Sequence, residues 1–237
     1  MKTQIAALLL ALPIFAHAES FFQVEVGAGL ASATKDGDIM YYDEGLPHHT
    51  PINGPGARIG LVANVVEAST KSWVPGVRLH LGYTYWGSES WSATVGEDFN
   101  GNYGYSTLTK NCVNTCGQIR TFISGGSMHS VNLTVEPYWD LGGGWTVGAE
   151  AGPAIYFDPW SSAFVANESG PFGPAGSIQQ VSHHVVPELG AVVGLSISKG
   201  PFSIRYNYLF GRNRSAGGSD VPSGIKGAHL ITANYTF

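Results

Sequence analysis

Apolar and polar residues alternate along most of this chain. In the last nine positions every second residue is bulky or apolar: His229, Ile231, Ala233, Tyr235 and Phe237. Those between, Leu230, Thr232, Asn234 and Thr236, are mostly small and polar. A two-residue period marks a strand with one greasy and one wet face. The same period predicts strands at 21–30, 55–66, 74–86, 128–141, 145–157, 184–198, 202–210 and 227–237. Most are long enough for a tilted strand to cross a bilayer.

The connections alternate in length. The segment EASTKSW, the triplet Gly142-Gly143-Gly144 and the triplet Lys199-Gly200-Pro201 are short turns. The segments 31–54, 87–127, 158–183 and 211–226 are long loops. Short turns on one side and long loops on the other are the habit of an all-β, eight-stranded, antiparallel up-and-down transmembrane β-barrel. Both termini then lie on the short-turn side. The prolines at 137, 153 and 187 interrupt this pattern, because proline removes a ladder donor. Bulges or strand ends are expected there.

The charges sort to one face. In the third strand Val77, Leu79, Leu81, Tyr83 and Tyr85 share a side opposite Arg78 and His80. In the seventh, Phe202, Ile204, Tyr206, Tyr208 and Phe210 oppose Ser203, Arg205 and Asn207. A charge on the lipid face would cost about 2–4 kcal/mol at the midplane, which explains the sorting. The predicted interior therefore holds Glu25, Arg58, Arg78, His80, Glu136, Glu150, Glu188 and Arg205. Both signs are present, and in a narrow interior they must pair. A structural salt-bridged plug is the expectation, with a small polar pore as the rival. The aromatics Tyr83, Tyr85, Trp139, Trp145, Phe157, Phe202, Phe210, Tyr235 and Phe237 lie near strand ends, where they would form two interface girdles.

In its closing alternating strand with terminal Phe237, its strand count and its charged interior, the chain resembles the small eight-stranded outer-membrane barrels of the OmpA-like and opacity type. The resemblance spans nearly all of the chain after the leader. The periplasmic peptidoglycan-binding domain of full OmpA-type proteins is not expected here. The resemblance implies that Tyr235 and Phe237 act as a carboxy-terminal assembly signal read by the barrel-assembly machinery. It implies too a monomer in contact with outer-membrane lipid and lipopolysaccharide.

Composition agrees. Charged residues make up 12%, against 12% aromatic residues and 32 glycines. Soluble domains of this size carry a denser charged coat. The formal charge of −5 argues against a nucleic-acid partner. Residues 1–18 (MKTQIAALLLALPIFAHA) combine Lys2, an apolar run too short to span a membrane, and an Ala16-His17-Ala18 cleavage site. A cleaved signal peptide followed by a barrel over 19–237 is the expected organisation, with export to the bacterial outer membrane. In an exported chain, Cys112 and Cys116 are expected to form a local disulfide at a hairpin tip. Part of loop 87–127 is expected to continue the third and fourth strands as a hairpin over 103–122.

Enzymatic chemistry finds little footing. A lipid A deacylase of the PagL type would show His-x-Ser-Asn in a late strand. Here the nearest run is Met128-His129-Ser130-Val131-Asn132, in which His and Ser are adjacent. Adjacent strand residues face opposite ways, so His129 and Ser130 cannot share a proton. A lipid A-modifying hydrolase is thus the least favoured reading, and no catalytic residue is assigned. The pairs His48-His49 and His183-His184, with Asp43, Glu44 and Asp158, lack close ligand spacing, so neither metal nor cofactor is expected. Gly27-Ala28-Gly29 lies in a strand and opens no helix, so it cradles no phosphate. The expected role is non-enzymatic: surface interaction, adhesion or envelope integrity through loops 31–54, 87–127 and 158–183, with a narrow porin-like channel as alternative.

Overall fold

The computed structural model describes residues 22–36, 49–70, 73–95, 120–170, 173–184, 187–211 and 225–237. Ten strands occur among them: β1 Phe22–Asp36, β2 His49–Val66, β3 Gly76–Val95, β4 Arg120–Gly142, β5 Trp145–Phe157, β6 Trp160–Ala166, β7 Ile178–His184, β8 Glu188–Lys199, β9 Phe202–Phe210 and β10 Ile225–Thr236. The order β3-β2-β1-β10-β9-β8-β5-β4, with β4 returning to β3, closes an eight-stranded wall. Every pairing in it is antiparallel. Closure leaves no open edge in the wall, so backbone groups can be satisfied where water is absent.

The outward face is apolar. Leu79, Leu81, Leu133, Val135, Leu195, Ile197, Ile204 and Ile231 are all exposed there. Outside lipid such a band would be an aggregation surface, whereas against acyl chains it costs nothing. At the turn end Trp145, Phe202, Tyr235 and Phe237 are exposed, and Lys199 Nζ sits 4.9 Å over the Trp145 ring. Gly142, Gly143 and Gly144 take φ of 84°, 63° and 78°, which suits residues without a Cβ and makes the β4–β5 turn tight.

The fold is longer than the alternation alone implies. β5 and β9 match their expected bounds. Beyond the wall at the loop end, residues 88–95 of β3 pair with 120–127 of β4. β6 then pairs with β4 and β7 with β6, in a stretch expected to be loop. The predicted strand at 184–198 is instead β8, starting at Glu188, while His184 ends β7. β6 buries Ala163, Phe164 and Ala166 in this region. The expected 103–122 hairpin meets the described residues only at its last positions, 120–122, which are part of β4.

The proline expectation is only partly met. Pro187 precedes β8. Pro137 and Pro153 lie inside strands, opposite Val77 and Ala191, with no register shift at either. On the β4–β5 seam the register also holds, but pairing skips 133–134 and 136–137 of β4. Both lost donors therefore fall on one seam, where they remove hydrogen bonds without displacing the chain. Residues 1–18, Cys112 and Cys116 lie outside the described residues.

Candidate functional site: the barrel interior and its outer rim

The inward face of the strands brings six of the eight predicted residues into one group. Arg205 is its hub. Its Nε lies 3.0 Å from Glu25 Oε2, Nη2 3.2 Å from Glu136 Oε2, and Nη1 3.6 Å from Glu150 Oε2. Arg58 reaches Glu25 Oε1 from Nε at 3.2 Å and Glu150 Oε1 from Nη1 at 2.9 Å. His80 Nε2 is 2.6 Å from Glu136 Oε2. Neutral donors complete the shell: Thr134 donates to Glu150 at 3.3 Å, Asn207 also donates to Glu150, and Ser196 donates to Glu136. All six charged or titratable members are buried. Each carboxylate thus has at least one cation partner, which is what offsets removing it from water.

The other two predicted residues sit apart. Arg78 is half-buried at the turn end, donates from Nε to Asn64 Oδ1 at 3.2 Å, and stacks 3.7 Å over the Tyr138 ring. Its Nη1 comes only within 4.0 Å of Glu136. Glu188 lies at the loop end, accepting a hydrogen bond from the Tyr156 hydroxyl at 2.8 Å. It belongs to a different layer because its strand has risen several residues past the charged belt.

Between the belt and the loop end the interior turns apolar. Trp86, Met128, Tyr156, Val192, Leu209 and Leu230 form one buried cluster with Ala31, Ala33, Ala154 and Ala228. Trp86, Met128, Leu209 and Leu230 have no exposed surface. The Trp86 indole N–H donates to Ser130 Oγ at 2.8 Å, and Asn132 donates to Thr84 at the same distance, which joins the two layers. A search for charges passed this cluster over. Parity alone would have found it, since Trp86, Leu209 and Leu230 share the inward face with His80, Arg205 and Thr232.

His129 points outward, and Ser130 inward, as adjacent strand positions must. The hydroxyl that meets the imidazole is instead Ser127, two residues back: its Oγ is 2.8 Å from Nε2, while Tyr83 Oη is 2.5 Å from Nδ1. The ring lies between Tyr85 and Phe157, with centroids 5.3 Å away on each side. A matching arrangement recurs across the barrel. Tyr206 Oη is 2.8 Å from His229 Nδ1, and Tyr208 packs 4.7 Å from that ring. In both, a Tyr-x-Tyr strand faces a His that pairs with its second Tyr and bonds its first. These are girdle residues whose polar tips are satisfied locally. Among the described residues no cluster suits a metal ion. His48, Asp43, Glu44 and the side chains of His49, His183 and His184 lie outside them, while Asp158 is buried next to β5.

The architecture defines a class, the closed eight-stranded antiparallel barrel with an apolar outer face and a filled interior. No protein-family model matches the chain, and no curated protein does. Solved structures do resemble it. Neisserial surface protein A (NspA) is 14% identical, with 92% of this chain and 98% of that one covered and a TM-score of 0.41. The attachment invasion locus protein Ail of Yersinia pestis, in complex with the heparin analogue sucrose octasulfate, is 13% identical, with 91% and 99% covered and a TM-score of 0.38. The outer membrane enzyme PagL is 14% identical, with 90% and 98% covered and a TM-score of 0.31. Identities this low speak to the fold alone.

Proposed function

We propose that the chain is a bacterial outer-membrane protein whose barrel is a non-conducting, non-enzymatic support for a surface-exposed sheet. The observation that carries this is the double filling of the lumen, a charged belt below an apolar cluster, beneath strands that run on past the wall. Buried leucine, tryptophan and methionine above the belt argue against a continuous polar path through the described residues. The turn end then faces the periplasm and the loop end the exterior. The extended sheet of β3, β4, β6 and β7, with loops 31–54, 87–127 and 158–183, is the surface for contact with an extracellular ligand. Lipid and lipopolysaccharide cover the apolar wall, and the alternating β10 with Tyr235 and Phe237 is the segment for the barrel-assembly machinery.

The Ser127–His129–Tyr83 chain does not alter this reading. A phenol occupies Nδ1, where a serine hydrolase places a carboxylate to stabilise the imidazolium. The test is planar-bilayer conductance of detergent-refolded protein, beside a heat-modifiability gel. Compact migration without discrete current steps supports the proposal, and reproducible steps refute it. In parallel, cells expressing the protein or its His129→Ala variant should yield lipid A of identical mass. A mass change abolished by His129→Ala would establish catalysis instead.

A further inference from the structure

At the turn end the lumen opens into a cavity of about 220 Å³. That is room for roughly seven waters at about 30 Å³ each. Glu25, Arg78, Ser198, Ser203 and Arg205 line it. We propose that this vestibule binds a small oxygen-bearing anion, either a free oxyanion such as phosphate or the carboxylate of a small solute.

Of the three belt carboxylates, only Glu25 reaches the lining. Glu25 is spanned by Arg58 and Arg205, and its side chain is 2% exposed. Glu136 lies behind it with none of its surface exposed. The donors are turned toward this space. Arg78 keeps the most exposed side chain of the group, at 18%, and its contacts are a neutral amide, an aromatic ring and a carboxylate no nearer than 4.0 Å. Arg205 Nη1 and Ser203 Oγ are buried without a hydrogen-bond partner. Ser198 stands opposite Ser203 across β8 and β9. The three glutamates and the three arginines, Arg78 included, cancel. Arrangement rather than net charge therefore favours an anion: Arg78, the most exposed charged side chain of the lining, supplies the local positive field. Low-dielectric walls concentrate that field inside the cleft. An anion there would accept from Arg78 and from the unpaired Ser203 hydroxyl, completing the buried polar layer. Glu25 Oε1 also lacks a hydrogen-bond partner, but it lies 3.2 Å from the Arg58 guanidinium, so a cation beside it would meet that charge.

The full chain, refolded in an uncharged, phosphate-free detergent, is titrated with inorganic phosphate, and separately with acetate, at constant ionic strength. Side-chain Nε–Hε resonances of Arg78 and Arg205 are followed by 15N NMR. Saturable shifts are expected, weakened at least tenfold by Arg78→Gln and only a few-fold by Arg78→Lys. Lys199→Gln, outside the vestibule, should change nothing. Ser203→Ala, which deletes one hydroxyl, supplies the same test if Arg78→Gln does not fold, and it should weaken binding several-fold. Tighter phosphate binding identifies a free oxyanion as the ligand, and equal or tighter acetate binding a solute carboxylate. Shifts that never saturate, or that persist unchanged in Arg78→Gln and Ser203→Ala, overturn the proposal. The assay needs only a folded barrel in detergent. Its failure is therefore distinct from failure of the outer-membrane reading, on which only the periplasmic orientation depends.

Discussion

Replacing Arg205 by Gln should be the most damaging single change in the barrel interior. The guanidinium touches three buried carboxylates at 3.0, 3.2 and 3.6 Å. Glu25 and Glu150 keep Arg58 after its loss. Glu136 keeps only His80 at 2.6 Å and Arg78 at 4.0 Å. Counting Arg78, the three arginines that face three glutamates become two, in a site 3% exposed. Breaking a buried pair by removing one partner costs about 3–5 kcal/mol, chiefly for the charge left behind. The double variant Arg205→Gln with Glu136→Gln removes the stranded charge and should regain about half of that loss. A urea midpoint in detergent micelles, read by tryptophan fluorescence and by gel mobility, measures both. Equal losses in the single and double variants would refute the hub assignment. A loss under about 1 kcal/mol for Arg205→Gln would mean that water, rather than protein, solvates the belt.

Trp86→Ala, combined with Leu209→Ala, removes two of the largest side chains of the apolar cluster, so discrete conductance should appear in a bilayer where the parent protein is silent. Persistent silence would place the seal elsewhere. Gly148→Ala drives a Cβ into the Glu136 carboxylate and should cost about 1–3 kcal/mol in the same unfolding assay. Gly82→Ala meets nothing nearer than 3.4 Å and should be tolerated. Hydrogen exchange should be faster at Val135 and Ala151, isolated between the two proline gaps, than at pairs in the uninterrupted β9–β10 ladder. Equal protection would show that the gaps do not weaken the seam.

The wall was readable because lipid enforces it. β5 follows Gly142-Gly143-Gly144 and stops before Asp158-Pro159, β9 follows Lys199-Gly200-Pro201 and stops before Gly211, and both carry an apolar residue at every outward step, so their bounds could be placed to the residue. The belt was readable for the same reason: parity sent Arg58, Glu136, Glu150 and Arg205 inward together. What parity could not tell was height. Glu188 and Arg78 share the inward face with the belt but lie above and below its centre. The continuation of β3 and β4 was expected only as a hairpin over 103–122, and β6 with nearly all of β7 was read as loop 158–183, because such short segments lack the long alternation that a bilayer-crossing strand shows. The Ser127–His129 contact was missed because attention went to the neighbouring Ser130 rather than to the position two residues away on the same face.

The attachment of β6 and β7 has a consequence for how this protein tolerates change. Among the described residues the hairpin reaches the wall strands only through β4, and it lies beside the β3–β4 continuation, which spans eight residue pairs. At about 3.4 Å per residue that is roughly 27 Å of ladder between the tip and the lipid edge. The β6–β7 hairpin therefore pairs with the wall only along one strand. Insertions or wholesale replacement at the tip carry little folding penalty, and a foreign peptide or affinity tag placed there would be displayed clear of the membrane while the wall assembles as before.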